Sequence, residues 1–415
     1  MRVAVIGSGI SGMAAAYYLS RKHQVFLFEK ETRLGGHTHT VMVESSRGPL
    51  AVDTGFIVHN DRNYPNLVKL FSELSIETQP SDMSFGVSCR KTGLEYSSRG
   101  LNGFFAQRRN FLNTGQYRLL EQILRFNREA PRLLANSESA SLTLGEYIEQ
   151  GKYTDLFTER YLYPMACAVW SMSTDAIREF PAMTLIRFFE NHGMLGINTH
   201  PNWKVLRGGS STYIAPLTAP YKDCIFTGVD IQSVVRSETG VTLRLTDRSE
   251  MNFDEVVFAC HGNQILPLLE RPTAEERSVL GNFTTSRNEV CLHTDSNILP
   301  RRPEARASWN YSLSSDPGAG ATLTYHMNRL QTLPVPEDYC VSLNLKRSID
   351  SSKVLRTIVY HHPLYTADAV RAQARWNEIS GMNHTHFCGA YWFFGFHEDG
   401  LNSALRVARA LGVEC

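Results

Sequence analysis

Val3-Ala4-Val5-Ile6-Gly7-Ser8-Gly9-Ile10-Ser11-Gly12-Met13 is the stretch on which the fold turns. Val3 to Ile6 is a continuous apolar run, as a strand buried on both faces requires. Three glycines follow, and Met13 to Leu19 then reads as helix. Gln24 to Phe28 reads as a second strand closing at Glu29, 22 positions after Gly7. Strand, glycine turn, helix, strand and acid at a spacing of ~20 form a dinucleotide-binding pattern. Gly7 permits the tight turn. Gly9 lets backbone approach a pyrophosphate, and Gly12 lets helix pack close to strand. The helix N-terminus offers unpaired N–H groups to the phosphates. Glu29 accepts from ribose hydroxyls and would repel a 2′-phosphate.

Working outward, Arg33-Leu34-Gly35-Gly36-His37 implies a second close approach of backbone to an extended cofactor. Asp53-Thr54-Gly55-Phe56 gives a third. At the other end, Phe387-Cys388-Gly389-Ala390 reads as a buried strand, and Gly395-Phe396-His397-Glu398-Asp399-Gly400 opens a helix running through Ala410. Between the ends, 104–150 and 157–192 read as helical, with Pro164 and Pro181 as interruptions. Lys204 to Ile214 reads as a turn into a helix. Cys224 to Thr246 reads as two strands, Val256 to Cys260 as one more, and 287–293, 321–327 and 339–346 as a second sheet.

The whole-chain numbers fit two or three globular domains. There are 415 residues, 42% hydrophobic and 20% charged, with a formal net charge of +1. That balance gives no whole-surface attraction to nucleic acid, so no nucleic-acid partner is expected. No apolar stretch approaches the 18 or so residues of a membrane span. The N-terminal apolar run is too short for a signal peptide core, which places the chain in the cytoplasm. Its eight cysteines are scattered, as free thiols would be. The histidine pairs His37/His39, His361/His362 and His384/His386 have no third ligand nearby, so no metal site is expected.

This order of features resembles the FAD-binding amine oxidase superfamily, which also holds phytoene desaturases. It implies an α/β fold: a Rossmann-type FAD-binding domain with an inserted α+β substrate domain. The expected division is 1–80, 204–275 and 352–415 for the FAD-binding domain. Residues 81–203 and 276–351 form the substrate domain. The implied cofactor is non-covalent FAD. Its expected contacts are Gly7, Gly9, Ile10, Ser11, Gly12, Glu29, Lys30, Arg33, Gly35, Gly36, His37, Gly55, Phe56, Ile231, Gly389, Phe396, His397 and Glu398. His37 stands where the family usually has arginine, so Arg33 is the expected source of charge near the pyrophosphate.

Asp53-Thr-Gly-Phe-Ile-Val-His-Asn60, Ser81-Asp-Met-Ser-Phe85 and Phe396-His-Glu-Asp-Gly400 narrow the resemblance. They are similar to bacterial flavoproteins related to the flavoprotein-like half of plant cyclopropane fatty acid synthases. That likeness implies a fatty acyl or phospholipid substrate and a separate lipid methyltransferase as partner. The reaction it suggests is dehydrogenation of an unsaturated, methyl-branched or cyclopropane acyl chain, by hydride loss to flavin and loss of a neighbouring proton. Phe396 would face the flavin, and His397 or Tyr325 would take the proton. His397 could equally give only its backbone N–H. Tyr325 and His326 face opposite ways on a strand, so at most one enters the site. Amine (polyamine-type) oxidation is the alternative activity. It is disfavoured by the apolar Phe396 and by the absence of lysine from Asn288–Asp295. A non-catalytic FAD-bearing partner of the methyltransferase is the third reading. Finally, Leu101 to Leu112 sets Phe104, Phe105 and Phe111 beside Arg108 and Arg109. It reads first as a helix start whose apolar residues face the core and whose arginines are solvated, and second as a transient contact with the inner face of the membrane.

Overall fold

The computed structural model describes residues 1–135, 142–196, 201–313, 322–345 and 348–415. The ends of two expected strands, at 321 and 346, lie outside the described residues. Strand Arg2–Ile6, helix Ile10–Leu19 and strand Gln24–Glu29 form where the opening motif places them. They seed a five-stranded, all-parallel sheet. Its spatial order is Ile225–Thr227, Gln24–Glu29, Arg2–Ile6, Glu255–Phe258, Thr385–Phe387. Numbered along the chain that is 3-2-1-4-5, the doubly wound arrangement, with its switch point beside the first strand. Val3, Ala4, Val5, Val256, Val257 and Phe258 are fully buried, as a parallel sheet covered on both faces demands.

A seven-stranded sheet forms the second layer. Its order is Val354–Pro363, Thr285–His293, Cys340–Leu343, Leu323–His326, Trp309–Ser312, Phe85–Cys89, Leu94–Ser97. All its pairs are antiparallel except Trp309–Ser312 with Phe85–Cys89. Residues 352–363, grouped above with the FAD-binding domain, therefore include an edge strand of this sheet, paired from Thr285↔Pro363 to His293↔Val354. The helices between 100 and 191 pack on it around Phe126, Phe157, Phe180 and Phe189, all fully buried.

Two local readings change. Lys204 begins no turn: Trp203–Leu206 is a strand between Val58–Asn60 and Thr78–Pro80, and the turn comes at Gly208-Gly209. Cys224 to Thr246 holds three strands, because Ile225–Thr227 joins the parallel sheet before the hairpin Ile231–Ser237/Gly240–Leu245 begins. Pro181 interrupts as expected, standing as the residue before helix Ala182–Asn191. Pro164 does not end its helix. It sits in the first turn of Tyr163–Trp170, where its missing N–H costs least, directly after a π-turn at Thr158–Leu162.

The glycines of the opening motif act through close contact. A Cβ on Gly12 would lie 1.8 Å from the Gly7 carbonyl oxygen. Gly7 itself has φ +103° and would meet the Ala259–Cys260 backbone at 2.9 Å. Gly12→Ala should therefore prise helix from strand, at a cost of several kcal/mol, beyond the 1–3 kcal/mol usual for an overpacked core. Thermal unfolding of the variant should show a clearly lowered midpoint and loss of retained flavin.

Candidate functional site: a cofactor cleft continuous with an apolar cavity

One cavity of about 2020 Å³ runs from the ends of the parallel strands into the helical half of the molecule. That is about twice the upper range for a single small-ligand pocket, so it has room for a dinucleotide and a second molecule. Its first half is built by the glycine turns. Gly9 precedes helix Ile10–Leu19 without any side-chain cap, and a Cβ there would meet nothing within 4 Å. The free N–H groups of Ile10 and Ser11 thus start a helix at the cavity wall. Gly36 closes on Gly9, a Cβ at Gly36 lying 3.1 Å from the Gly9 Cα. The open space beside Gly9, the uncapped helix start and an acidic strand end form a cradle that fits a dinucleotide.

Glu29 closes the second strand. Its carboxylate accepts from Ser8 N–H (2.8 Å), Ser8 Oγ–H (2.6 Å) and Glu31 N–H (2.9 Å), which fixes it at the rim with lone pairs left for a ribose. Arg33 donates to the carbonyls of Gly36 (2.7 Å), Thr38 and Leu34. It ties down the double-glycine loop, forms no ion pair among the described residues, and keeps its charge at the cavity wall. His37 stacks on Tyr360 with ring centroids 4.9 Å apart and adjoins His261 and His362. Burial first, then the nearby His362, His261, His397 and Arg33, hold its pKa well below the usual imidazole value. Its Nε2 is buried without a partner, as a group awaiting a ligand would be. Lys30 is paired with Asp230 at 3.0 Å, beside Ile231.

Of the eighteen expected cofactor residues, sixteen line this cavity. Gly12 lies beneath the turn and acts only in packing. Glu398 turns away. It accepts from Asn66 N–H (3.0 Å), Leu67 N–H (2.8 Å) and Asn66 Nδ2 (3.1 Å), tying helix His397–Ala410 to helix Pro65–Glu73. As a buried carboxylate it needs those donors itself, so its place among the cofactor contacts is withdrawn.

The three expected catalytic residues, Phe396, His397 and Tyr325, also line the cavity. Phe396 stacks on Phe188, centroids 5.1 Å apart. The His397 ring lies flat on Phe56, centroids 3.7 Å apart, and its Nε2 meets Thr38 Oγ1 at 2.9 Å. Tyr213, buried with Thr38 as its one side-chain partner, donates to Thr38. Thr38 then donates to His397 Nε2, which leaves the ring proton on Nδ1. Burial, with a smaller contribution from His59, pushes the His397 pKa down to about 3. A ring so fixed is a poor proton acceptor, and the role left to it is its backbone N–H at the helix start. Burial also raises the Tyr325 phenol far above its usual range, so it is a donor and no base. His326 faces away and bonds Asp338 at 2.9 Å.

Several site residues carried no signal in the sequence. His192 follows Phe188 by one helical turn. Its Nδ1 donates to the Phe188 carbonyl (2.8 Å), which leaves the Nε2 lone pair free on a ring at the cavity wall. Burial lowers its pKa to about 4 despite that bond, so the ring is neutral near pH 7. Trp170 Nε1, Trp309 Nε1 and Tyr365 OH are buried without partners, and all three residues line the cavity. Trp392 and Cys388 are buried outside it.

The chain matches the model of the flavin-containing amine oxidoreductases over residues 10–412 and belongs to that family. It is an FAD-dependent oxidoreductase. Its fold is shared with a fatty acid isomerase from P. acnes that produces CLA, at 14% identity and TM-score 0.74, covering 99% of both chains. A putrescine oxidase matches at 13% identity and TM-score 0.71, over 99% of both chains. Cyclohexylamine oxidase from Brevibacterium oxydans matches at 14% and 0.68, over 99% of this chain and 98% of its own. No curated protein sequence matches the chain.

Two outcomes follow from this geometry. Glu29→Ala should weaken FAD by ~1–3 kcal/mol, the loss expected for hydrogen bonds to a charged group, read as flavin release on dilution. Acid precipitation of the native protein should leave the yellow colour in the supernatant. Separately, His397 has a folded pKa of about 3, so it carries no charge change between pH 5 and 9. Flavin reduction rates in native protein and His397→Gln should then have the same pH profile over that range. A limb near pH 6.5 missing only from the variant would return the ring to acid–base work.

Proposed function

We propose that this enzyme dehydrogenates a long acyl chain bearing a double bond, a methyl branch or a cyclopropane ring. The observation that carries the reading is the chemistry of the cavity's second half. Phe104, Leu120, Ile123, Met165, Val169 and Phe188 are among its walls. The carboxylates on the whole lining are Glu29, Glu31 and Asp230 at the dinucleotide end, and Asp82. Asp82 already accepts from Ser84 N–H (2.9 Å) and lies 3.2 Å from Arg329. Among the described residues no carboxylate of that half is left to compensate an ammonium, and an unpaired buried cation is costly. The two lysines of the whole lining are also engaged: Lys30 with Asp230 and Lys204 with Asp61 (2.9 Å). The similarity in fold to a fatty acid isomerase supports an acyl substrate, as does the likeness to the flavoprotein-like half of cyclopropane fatty acid synthases. A separate lipid methyltransferase is the partner this reading implies.

FAD supplies a two-electron acceptor able to take a hydride from carbon. The chain's own work is placement and proton removal. Phe396, braced by Phe188, presses the substrate flat and keeps water out. The reacting C–H is allylic, or next to a ring or branch, where developing positive charge spreads. The neighbouring C–H then becomes strongly acidic, so a weak base suffices. We assign that proton to His192 Nε2, whose neutral form and free lone pair the Phe188 carbonyl maintains. The electron pair left behind forms the new C=C bond.

Anaerobic mixing with a monounsaturated acyl substrate should bleach the flavin and give a product two hydrogens lighter. Deuterium at the allylic carbon should slow bleaching. His192→Gln should leave the flavin bound and its bleaching little changed, and should slow appearance of the new double bond by roughly 10²–10⁴, the usual contribution of a general base. A product of unchanged hydrogen count would make the reaction an isomerisation. Bleaching by a diamine but not by lipid would return the enzyme to amine oxidation. A protein bleached by neither, yet bound to a methyltransferase, would be the non-catalytic partner.

A further inference from the structure

The apolar cavity reaches the surface at one segment where Leu101 and Leu124 both line it and are exposed. Ser98, Arg99, Gly100 and Leu101 line it on one side, and Leu120, Ile123, Leu124 and Asn127 of helix Thr114–Glu129 on the other. Among the described residues, the same segment carries five of the ten exposed large apolar side chains, including the two most exposed. Leu112 is 92% exposed, Leu101 70% and Phe111 48%, with Tyr117 and Leu124 close behind. Singly exposed leucines are ordinary, but five within 24 residues at a cavity mouth are not. They are held rigidly. Phe111 stacks on the buried Phe105, centroids 4.6 Å apart, and Tyr117 OH donates to the Phe111 carbonyl at 3.0 Å. Gln116 reaches back to the Phe104 carbonyl at 3.0 Å, which fixes the helix to the preceding loop. Phe104 and Phe105 are buried, so the core reading of this stretch holds for them and fails for Leu101, Phe111 and Leu112.

The charge on the segment is as one-sided as its apolar exposure. Residues 99–129 hold six arginines against two glutamates, in a chain whose net charge is +1. Glu129 is taken up by Arg125 (3.0 Å) and Arg128 (3.8 Å). Arg99, Arg108, Arg109 and Arg118 are exposed and make no ion pair among the described residues. Arg108 donates only to Asn102 and the Phe105 carbonyl, an arrangement that steadies the 3₁₀ turn Arg108–Leu112 and holds Leu112 outward.

We propose that this face docks on an anionic lipid bilayer, with Leu101, Phe111 and Leu112 entering the headgroup region and Arg99, Arg108, Arg109 and Arg118 meeting the lipid phosphates. Apolar side chains flanked by cations match the interfacial zone, where the first enter the acyl boundary and the second the anionic plane. A protein partner of opposite charge could satisfy the arginines. It would not explain why the apolar cavity opens in the middle of the patch. Docked in this way, the mouth faces the acyl layer, and a chain passes from bilayer to cavity without crossing water. That last step rests on the acyl-substrate reading; the docking itself does not.

The test is co-flotation of the flavin-loaded protein with vesicles. Phosphatidylcholine vesicles alone are compared with vesicles rich in phosphatidylglycerol. Binding is expected to the second only, and to fall steeply as salt is raised. Each arginine near the surface is worth roughly a fivefold change in affinity, so Arg108→Gln with Arg109→Gln should weaken binding by roughly 25-fold. Leu112→Asp should abolish it. None of these three residues lines the cavity, so each variant should keep its flavin, its unfolding midpoint and its bleaching rate with a water-dispersed acyl substrate. Equal flotation with neutral vesicles, no flotation of the intact holoprotein at low salt, or full flotation of Leu112→Asp would each overturn the proposal. So would a concentration-dependent dimer that Leu112→Asp dissociates, since the face would then belong to a second copy. Vesicle binding without acyl turnover would leave the docking standing and sink the substrate reading alone.

Discussion

Backbone lying directly against backbone is the constraint on which the site depends. At Gly12 a methyl group would strike the Gly7 carbonyl, and at Gly55 it would strike the His37 carbonyl at 2.0 Å. At Gly36 it would press on the Gly9 Cα. These contacts draw three separate passes of the chain to one end of the parallel sheet. Only where no side chain intervenes can the helix start, the double-glycine loop and the Asp53–Phe56 turn share one rim. The cofactor cleft is the space those passes leave.

Two buried carboxylates then hold the walls. Asp53 accepts from Thr40 Oγ1 (2.6 Å), from Ser210 N–H and Oγ, and from Gln331 Nε2 (3.0 Å). One residue thereby joins a hairpin, the turn after Trp203–Leu206 and the helix beside the seven-stranded sheet. Burial raises its pKa to about 6, against the opposing pull of the Thr40 and Ser210 bonds. Glu398 does the same between two helices. A carboxylate taken from water must be satisfied where it lands, which makes each a positional device more than a source of net stability. Because these struts stand behind the cavity and not in it, the second half of the cavity remains apolar. Among its polar groups, the Trp170 and Trp309 ring N–H and the Tyr365 hydroxyl are left without partners.

The two halves of the site were not equally legible. Gly7, Gly9, Glu29, Gly35, Gly36 and Gly389 could be placed from sequence because their work is local. A turn, a helix start and a strand end are fixed by residues a few positions apart, and a parallel strand buried on both faces announces itself by composition. Phe396 fell at the cavity wall for the same reason, since it immediately precedes a helix whose start the glycines mark.

The protonation chemistry was decided by distance in space. His397 follows Phe396 directly, yet its ring is held by Phe56, Thr38 and Tyr213, more than 180 positions away. No spacing rule encodes that stack, and burial then removed the basicity that the residue type suggested. Glu398 looked available beside the flavin helix until Asn66 and Leu67 claimed it. His192 carried no motif, and its free lone pair exists only because one helical turn back a carbonyl faces Nδ1. The sequence by itself determined a dinucleotide-binding α/β fold and the cofactor's backbone cradle. Tertiary structure alone decided which side chains keep a proton, which carboxylates are spent on packing and where the apolar cavity opens. Those properties belong to the dielectric and hydrogen-bond surroundings of a group, and its surroundings are made by residues distant in the chain.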